Sequence, residues 1–151
     1  MHADLDLQIE VLPAAADLPL PSYATAGSAG MDLRAALQEP LVLPRLGRAA
    51  VPTGLRIAIP AGWEGQVRPR SGLALQHGLS MPNAPGTIDS DYRGELKVLL
   101  INLGDEPVTL VHGMRVAQLV LCPVGRARLV PVLSLAVDTE RGVGGFGSTG
   151  Q

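Results

Sequence analysis

Aromatic residues make up only 3% of this chain, so Val, Leu, Ile and Ala must fill whatever core it builds. Cys122 is the only cysteine, which excludes an intrachain disulfide; a small buried apolar thiol is its plain reading. Lysine is almost absent. Lys97 stands alone among 12 basic residues, and the rest are arginines, whose planar forks suit fixed contacts to anions. A net charge of −2 gives no general attraction to nucleic acid. The sequence has no apolar run long enough to span a bilayer, and Met1–Glu10 has acidic residues and no apolar signal core. The expectation is a cytoplasmic protein that neither enters a membrane nor binds nucleic acid directly.

What is present is turn chemistry. The chain carries 18 Gly and 13 Pro among 46% hydrophobic residues, and its 151 residues suit one domain. Leu5, Leu7, Ile9 and Val11 alternate with Asp6, Gln8 and Glu10, the period of a strand with one buried face. Short apolar runs follow at Leu41–Leu43, Leu55–Ile59, Glu95–Leu103, Val108–Val111, Val116–Cys122 and Leu129–Leu133, bounded by prolines. Many short strands with this punctuation predict an all-β fold, a jelly-roll-like sandwich or barrel. Ser71–His77 alone reads as helix, with Ser71 as its cap and Gly78 as its stop. The glycine-rich tail, Arg141–Gln151, cannot pack a core and should be mobile without a ligand.

Five polar, glycine-bearing stretches stand out from the apolar strands. In Ala29–Ala35, Asp32 sits in a strand-like frame; it is either a turn or edge aspartate or a carboxylate facing the water shell of a metal. In Arg68–Ala74, Arg70, Ser71 and Gly72 fall at a helix start, where unpaired N–H groups and a guanidinium would suit an anion, although an ordinary capped helix reads the same way. Asn83–Glu95 places an amide, carboxylates and a tyrosine in what reads as one hairpin. Asn83 could read a base edge, Asp89 could take a proton from water, and Tyr92 could pack on a sugar; the same residues also form plain polar turns. In Gly113–Gln118, Gln118 interrupts an apolar run and needs partners, whether a ligand or the core. The fifth stretch is the tail, where Arg141, Phe146 and Ser148 punctuate the glycines.

Taken in order from about Tyr23 to Gly150, these stretches resemble the five motifs of the trimeric dUTPase family. The resemblance implies a β domain over residues 1–140 and an arm over 141–151 that completes a neighbouring active site in a homotrimer, where one subunit supplies the first, second and fourth motifs of each site, the next supplies the third, and the remaining one lends its arm. It also implies hydrolysis of dUTP to dUMP and pyrophosphate with Mg²⁺, which would keep uracil out of DNA and supply dUMP for thymidylate synthesis. By motif position, Asp89 matches the aspartate that activates the attacking water. Asn83 matches the amide that reads uracil, helped by backbone groups at Gly86, Thr87 and Ile88. Tyr92 matches the tyrosine under the deoxyribose, and Lys97 a strand position near the nucleoside. Arg70, Ser71, Gly72 and Gln118 match phosphate-binding positions, and Asp32 an outer-shell carboxylate of the magnesium. Arg141, Gly147 and Ser148 match tail contacts to the nucleotide, and Phe146 the ring over uracil. Two other functions compete. A dCTP deaminase of the same fold, or a bifunctional deaminase–diphosphatase, uses a glutamate base and lacks the tyrosine-bearing segment. A non-catalytic nucleotide-binding protein would be expected to have lost Asp89, Arg70 or the tail.

Overall fold

The structure, a computed structural model, describes residues 5–136 and 138–145. Eleven strands and one α-helix follow in order: β1 (Gln8–Val11), β2 (Met31–Arg34), β3 (Leu41–Leu43), β4 (Arg48–Pro52), β5 (Leu55–Ala58), β6 (Trp63–Arg68), α1 (Ser71–His77), β7 (Leu79–Ser80), β8 (Gly86–Ile88), β9 (Lys97–Asn102), β10 (Val108–Leu110) and β11 (Arg115–Pro123). All strand pairs are antiparallel, in sheets ordered β2–β11–β6–β8, β4–β9–β7, β1–β5 and β3–β10. Neighbours in space are mostly distant in sequence. This jelly-roll-like sandwich closes into no barrel among the described residues.

The core explains the composition. Leu33, Val67, Ala117 and Leu119 of the four-stranded sheet share one buried cluster with Val51, Leu79, Val98 and Leu100 of the three-stranded sheet, with no aromatic side chain fully buried in it. β9 shows the strand period cleanly: Val98, Leu100 and Asn102 point in, and Lys97 and Leu99 point out. Asn102 is the one fully buried amide in the cluster's neighbourhood. Its Nδ2 donates to Leu43 O (3.0 Å) and Glu106 O (2.8 Å), and its Oδ1 accepts from Gly104 N (2.9 Å), so it ties the end of β9 to β3 and to the following turn.

Several sequence expectations change. The first strand starts at Gln8, so Leu5 and Leu7 precede it; both are half-buried, as is Ile9, and Val11 is exposed. Leu129–Leu133 forms no strand and lies exposed, so its apolar character does not serve this chain's own core. Asn83–Glu95 is not a hairpin: β8 pairs with β6, and the chain then crosses to β9 in the other sheet. α1 has the expected bounds, but Arg70 rather than Ser71 is its N-cap, with extended backbone and no side-chain cap bond. Gly78 ends the helix in the left-handed conformation (φ 67°), packed directly on Gly104. Cys122 is half-buried rather than buried. Arg141–Val143 is exposed, Gly144 and Gly145 are half-buried, and the rest of the tail lies outside the described residues.

Candidate active site

The sheet β2–β11–β6–β8 carries both parts of the site, one at each edge. At the first edge, Asp32 of β2 stands opposite Gln118 of β11. Its half-buried carboxylate accepts from Arg70 Nε at 3.0 Å through Oδ1 and from Arg115 Nη1 at 3.1 Å through Oδ2. Arg70 Nη1 also donates to Arg115 O at 3.4 Å. Two arginines and one carboxylate therefore form a clamp with net positive charge at the start of α1, suited to an anion that competes for the guanidinium groups.

Gln118 joins this clamp to the strand beside it. Its Nε2 donates to Pro69 O at 3.1 Å, immediately before Arg70. Its Oε1 lies 2.5 Å from where a Cβ on Gly30 would stand, so only glycine leaves the amide its place. Ser71 and Gly72 are exposed beyond it, with the first helical N–H groups free of intrahelical partners. Together these residues line a cavity of about 410 Å³. Arg115 was not singled out in the sequence as a site residue. The structure adds it through its contact with Asp32, a partner 83 positions away.

At the opposite edge lies β8. Gly86 is buried, and a Cβ there would meet Asn83 Nδ2 at 3.0 Å, so the amide of Asn83 folds back over the start of the strand. Thr87 is exposed and Ile88 half-buried. Asp89 follows them, exposed, in a groove of about 450 Å³ lined also by Trp63, Glu64, Ser90, Asp91 and Arg126. Tyr92 N donates to Asp89 O (3.1 Å), Tyr92 Oη donates to Glu95 O (3.0 Å), and the ring lies against Gly94. Lys97 is exposed at the start of β9, with Nζ 3.8 Å from Glu95 Oε2. β7 runs antiparallel to β9, so the chain leaving β7 towards Asn83 heads for the Lys97 end.

The two edges do not meet within one chain. Crossing from β2 to β8 takes three strand spacings, about 14 Å. By register Asp32 stands level with Arg68, whereas Asp89 continues the row of Glu64, four residues further along β6. That adds about 13 Å along the strands, for a diagonal of roughly 20 Å. A base must lie within hydrogen-bond reach of its water, so Asp89 cannot serve a phosphate held beside Asp32 of the same chain. Arg141 lies in neither group. Its Nε donates to Gly144 O at 2.8 Å in an exposed local turn. Phe146, Gly147 and Ser148 fall outside the described residues.

No metal cage appears among the described residues, where no three His, Cys, Asp or Glu side chains gather around a point. No helix there is long and apolar enough to cross a membrane.

Comparison with known proteins gives a family to this arrangement. Residues 16–150 match the dUTPase family model. The chain is 59% identical to the deoxyuridine 5'-triphosphate nucleotidohydrolase of Dinoroseobacter shibae, over 97% of this chain and 99% of that protein. It is 60% identical to the same-named protein of Mesorhizobium japonicum, over 92% and 87% respectively. Among solved structures it is similar to the Staphylococcus bacteriophage 80alpha dUTPase with dUpNHpp, with a TM-score of 0.86, 26% identity, and 97% of this chain and 99% of that chain covered. On the match over residues 16–150 and near-full-length relatives at about 60% identity, the chain belongs to the dUTPase family.

Proposed function

We propose that this protein is a cytoplasmic dUTP diphosphatase that hydrolyses dUTP to dUMP and pyrophosphate, with Mg²⁺, at sites shared between the chains of a homotrimer. The observation that carries the reading is the separation of the two half-sites. A positive clamp for phosphates and a carboxylate beside a base-reading amide occupy opposite edges of one sheet. Bringing the Asp89 edge of one copy to the Asp32 edge of another completes a site that one chain cannot. The exposed apolar side chains of Leu129, Val130, Val132, Leu133 and Leu135 support association, since such a stretch is a poor surface for a monomer in water. The nucleotide analogue dUpNHpp in the similar phage enzyme supports the substrate class.

In this reading Arg70 and Gln118, with the N–H groups at Ser71 and Gly72, hold the phosphates. Asn83 pairs with the uracil edge, and the backbone of Gly86, Thr87 and Ile88 walls the base. Tyr92 packs under the deoxyribose, and Lys97 closes that end of the pocket. Asp89 of a second copy holds a water against the α-phosphorus. The water oxygen forms a bond to that phosphorus, its proton passes to the Asp89 carboxylate, and the bond to the bridging oxygen of the β-phosphate breaks. Asp32 fits an outer-shell contact to a metal. It is a single, partly exposed carboxylate in the phosphate cavity, and its oxygens face exchangeable guanidinium partners rather than a fixed cage. Mg²⁺ bound with the triphosphate would supply charge neutralisation there. The arm from Arg141, with Phe146, Gly147 and Ser148, closes over the nucleotide of a neighbouring chain.

Pyrophosphate release measured with each dNTP and with UTP tests the activity. Rapid turnover of dUTP alone is expected. Deamination of dCTP would make the protein a deaminase of this fold, and binding without turnover would make it a nucleotide sensor. Native mass spectrometry tests the trimer, and a monomer at full activity would refute the shared site.

A further inference from the structure

The turn that carries Asp89 and Tyr92 is held at both ends, and its second anchor is a side chain. Glu95 Oε1 accepts the backbone N–H of Gly54 at 3.0 Å, 41 residues away in the turn between β4 and β5. That turn is itself rigidly seated. Gly54 has φ +66°, Ala15 Cβ lies 2.5 Å from where its Cβ would stand, and its carbonyl accepts Leu12 N at 2.8 Å. The backbone of Glu95 in turn accepts the Tyr92 hydroxyl at 3.0 Å. Gly94 lets the ring lie flat along this path, because any side chain there would collide with the ring and its hydroxyl. Glu95 does not line the groove that holds Asp89, and its carboxylate is spent on Gly54 and, more distantly, on Lys97.

We infer that Glu95 is a positioning residue for sugar selection: its carboxylate fixes the Tyr92 ring to the core through Gly54 and so sets the depth of the pocket under the sugar. The inference rests on the proposed role of Tyr92 against the deoxyribose. Leu96 N, donating to Leu55 O at 2.8 Å, also holds the peptide of the Glu95 carbonyl. Without the carboxylate that peptide keeps one of its two anchors and can tilt about it, which loosens the acceptor geometry of the Tyr92 hydroxyl and lets the ring retreat. A ring that retreats admits a 2′-hydroxyl.

The test is the ratio of kcat/KM for dUTP to that for UTP in the full-length oligomer, for Glu95→Ala, Glu95→Gln, Tyr92→Ala and the Tyr92→Ala/Glu95→Ala pair. Glu95→Ala is expected to lower the ratio by about tenfold, the scale of a modest misfit in a pocket. Glu95→Gln keeps an acceptor oxygen for Gly54 and is expected to hold the ratio near that of the parent, which also answers the concern that the alanine variant is merely misfolded. In the Tyr92→Ala background, Glu95→Ala should change the ratio no further, because it acts through the ring. A purely structural role would lower both kcat/KM values alike and leave the ratio unmoved, and that result overturns the inference. A ratio that shifts for Tyr92→Ala but not for Glu95→Ala also overturns it, while leaving the reading of Tyr92 intact. A ratio that does not move for Tyr92→Ala removes that reading and the role of Glu95 with it.

Discussion

Gly30→Ala adds one methyl group at a place where the structure has no room for it, and the obstacle is a functional side chain rather than backbone. The new Cβ would stand 2.5 Å from Gln118 Oε1 and 3.3 Å from Gln118 Cβ and Cδ. The backbone at Gly30 is not in the left-handed region, so alanine brings no conformational strain of its own. Gln118 is half-buried and must swing aside, giving up its bond to Pro69 O. The lost hydrogen bond is worth about 1 kcal/mol, because both groups can find water. Stability should therefore fall by only about 1 kcal/mol, seen as a small shift in the urea midpoint. Activity should fall much further. Pro69 precedes Arg70 and Ser71, and a shift on the order of 1 Å at positioning groups can cost about a hundredfold in rate. The expectation is a 10- to 100-fold loss in kcat/KM for dUTP, roughly 1.4–2.7 kcal/mol of transition-state stabilisation. Gln118→Ala should lose a similar amount, and the double variant no more than either single one. A Gly30→Ala enzyme within about twofold of the parent in kcat/KM would show that the amide of Gln118 has no part in catalysis.

Other substitutions read other parts of the molecule. Asp89→Asn should abolish pyrophosphate release yet bind dUTP almost as well by calorimetry, since an amide holds a water but cannot take its proton; a parallel loss of binding would make Asp89 structural. Asn102→Ala leaves Leu43 O in the core, and Glu106 O and Gly104 N in the partly buried turn after β9, without their side-chain partner, and should destabilise the fold by about 3 kcal/mol in denaturant melts; a loss below about 1 kcal/mol would mean that water replaces the amide. Deleting residues 141–151 should leave the oligomer folded and remove most activity. Mixing that truncation with Asp89→Asn should restore some activity if subunits exchange and the arm serves a neighbouring chain, and proven exchange without recovery would place the arm over its own Asp89.

Local patterns were legible where the residues themselves set the structure. β9 announces itself as the apolar run Val98–Ile101, too short for a helix and bounded by polar residues, and α1 because Gly78 stops it. β4 and β6 were missed. Arg48–Pro52 and Trp63–Arg68 are poor in the β-branched runs that mark a strand, and their strand state comes from partners: β9 on one side, β11 and β8 on the other. The false hairpin at Asn83–Glu95 arose because turn-forming residues look alike whether the chain doubles back or crosses between sheets. Leu129–Leu133 misled for a different reason: an apolar run signals burial without saying in which molecule. At the site, the residue types were visible, and the family resemblance implied that the third motif serves a different subunit from the first, second and fourth; the residues alone did not place them on two edges, since that follows from the strand order of a sheet whose members come from across the chain. Arg115 stayed hidden because its significance lies in sharing Asp32 with Arg70.

A chain so poor in aromatic rings has placed its single indole usefully. Trp63 is the only tryptophan, and it lines the groove of Asp89 at the edge of the sheet away from the phosphate clamp. The protein thus has a built-in optical probe with a spatial bias. Its emission responds to a change of polarity or quenching near Asp89 and Asp91, while Asp32 of the same chain lies two strand spacings away, about 10 Å, and about 17 Å further along the strands. In the proposed shared site the arginines beside this indole are those of another copy, so stopped-flow fluorescence of the unlabelled enzyme would time the filling of a site between chains rather than events at the same chain's own Arg70.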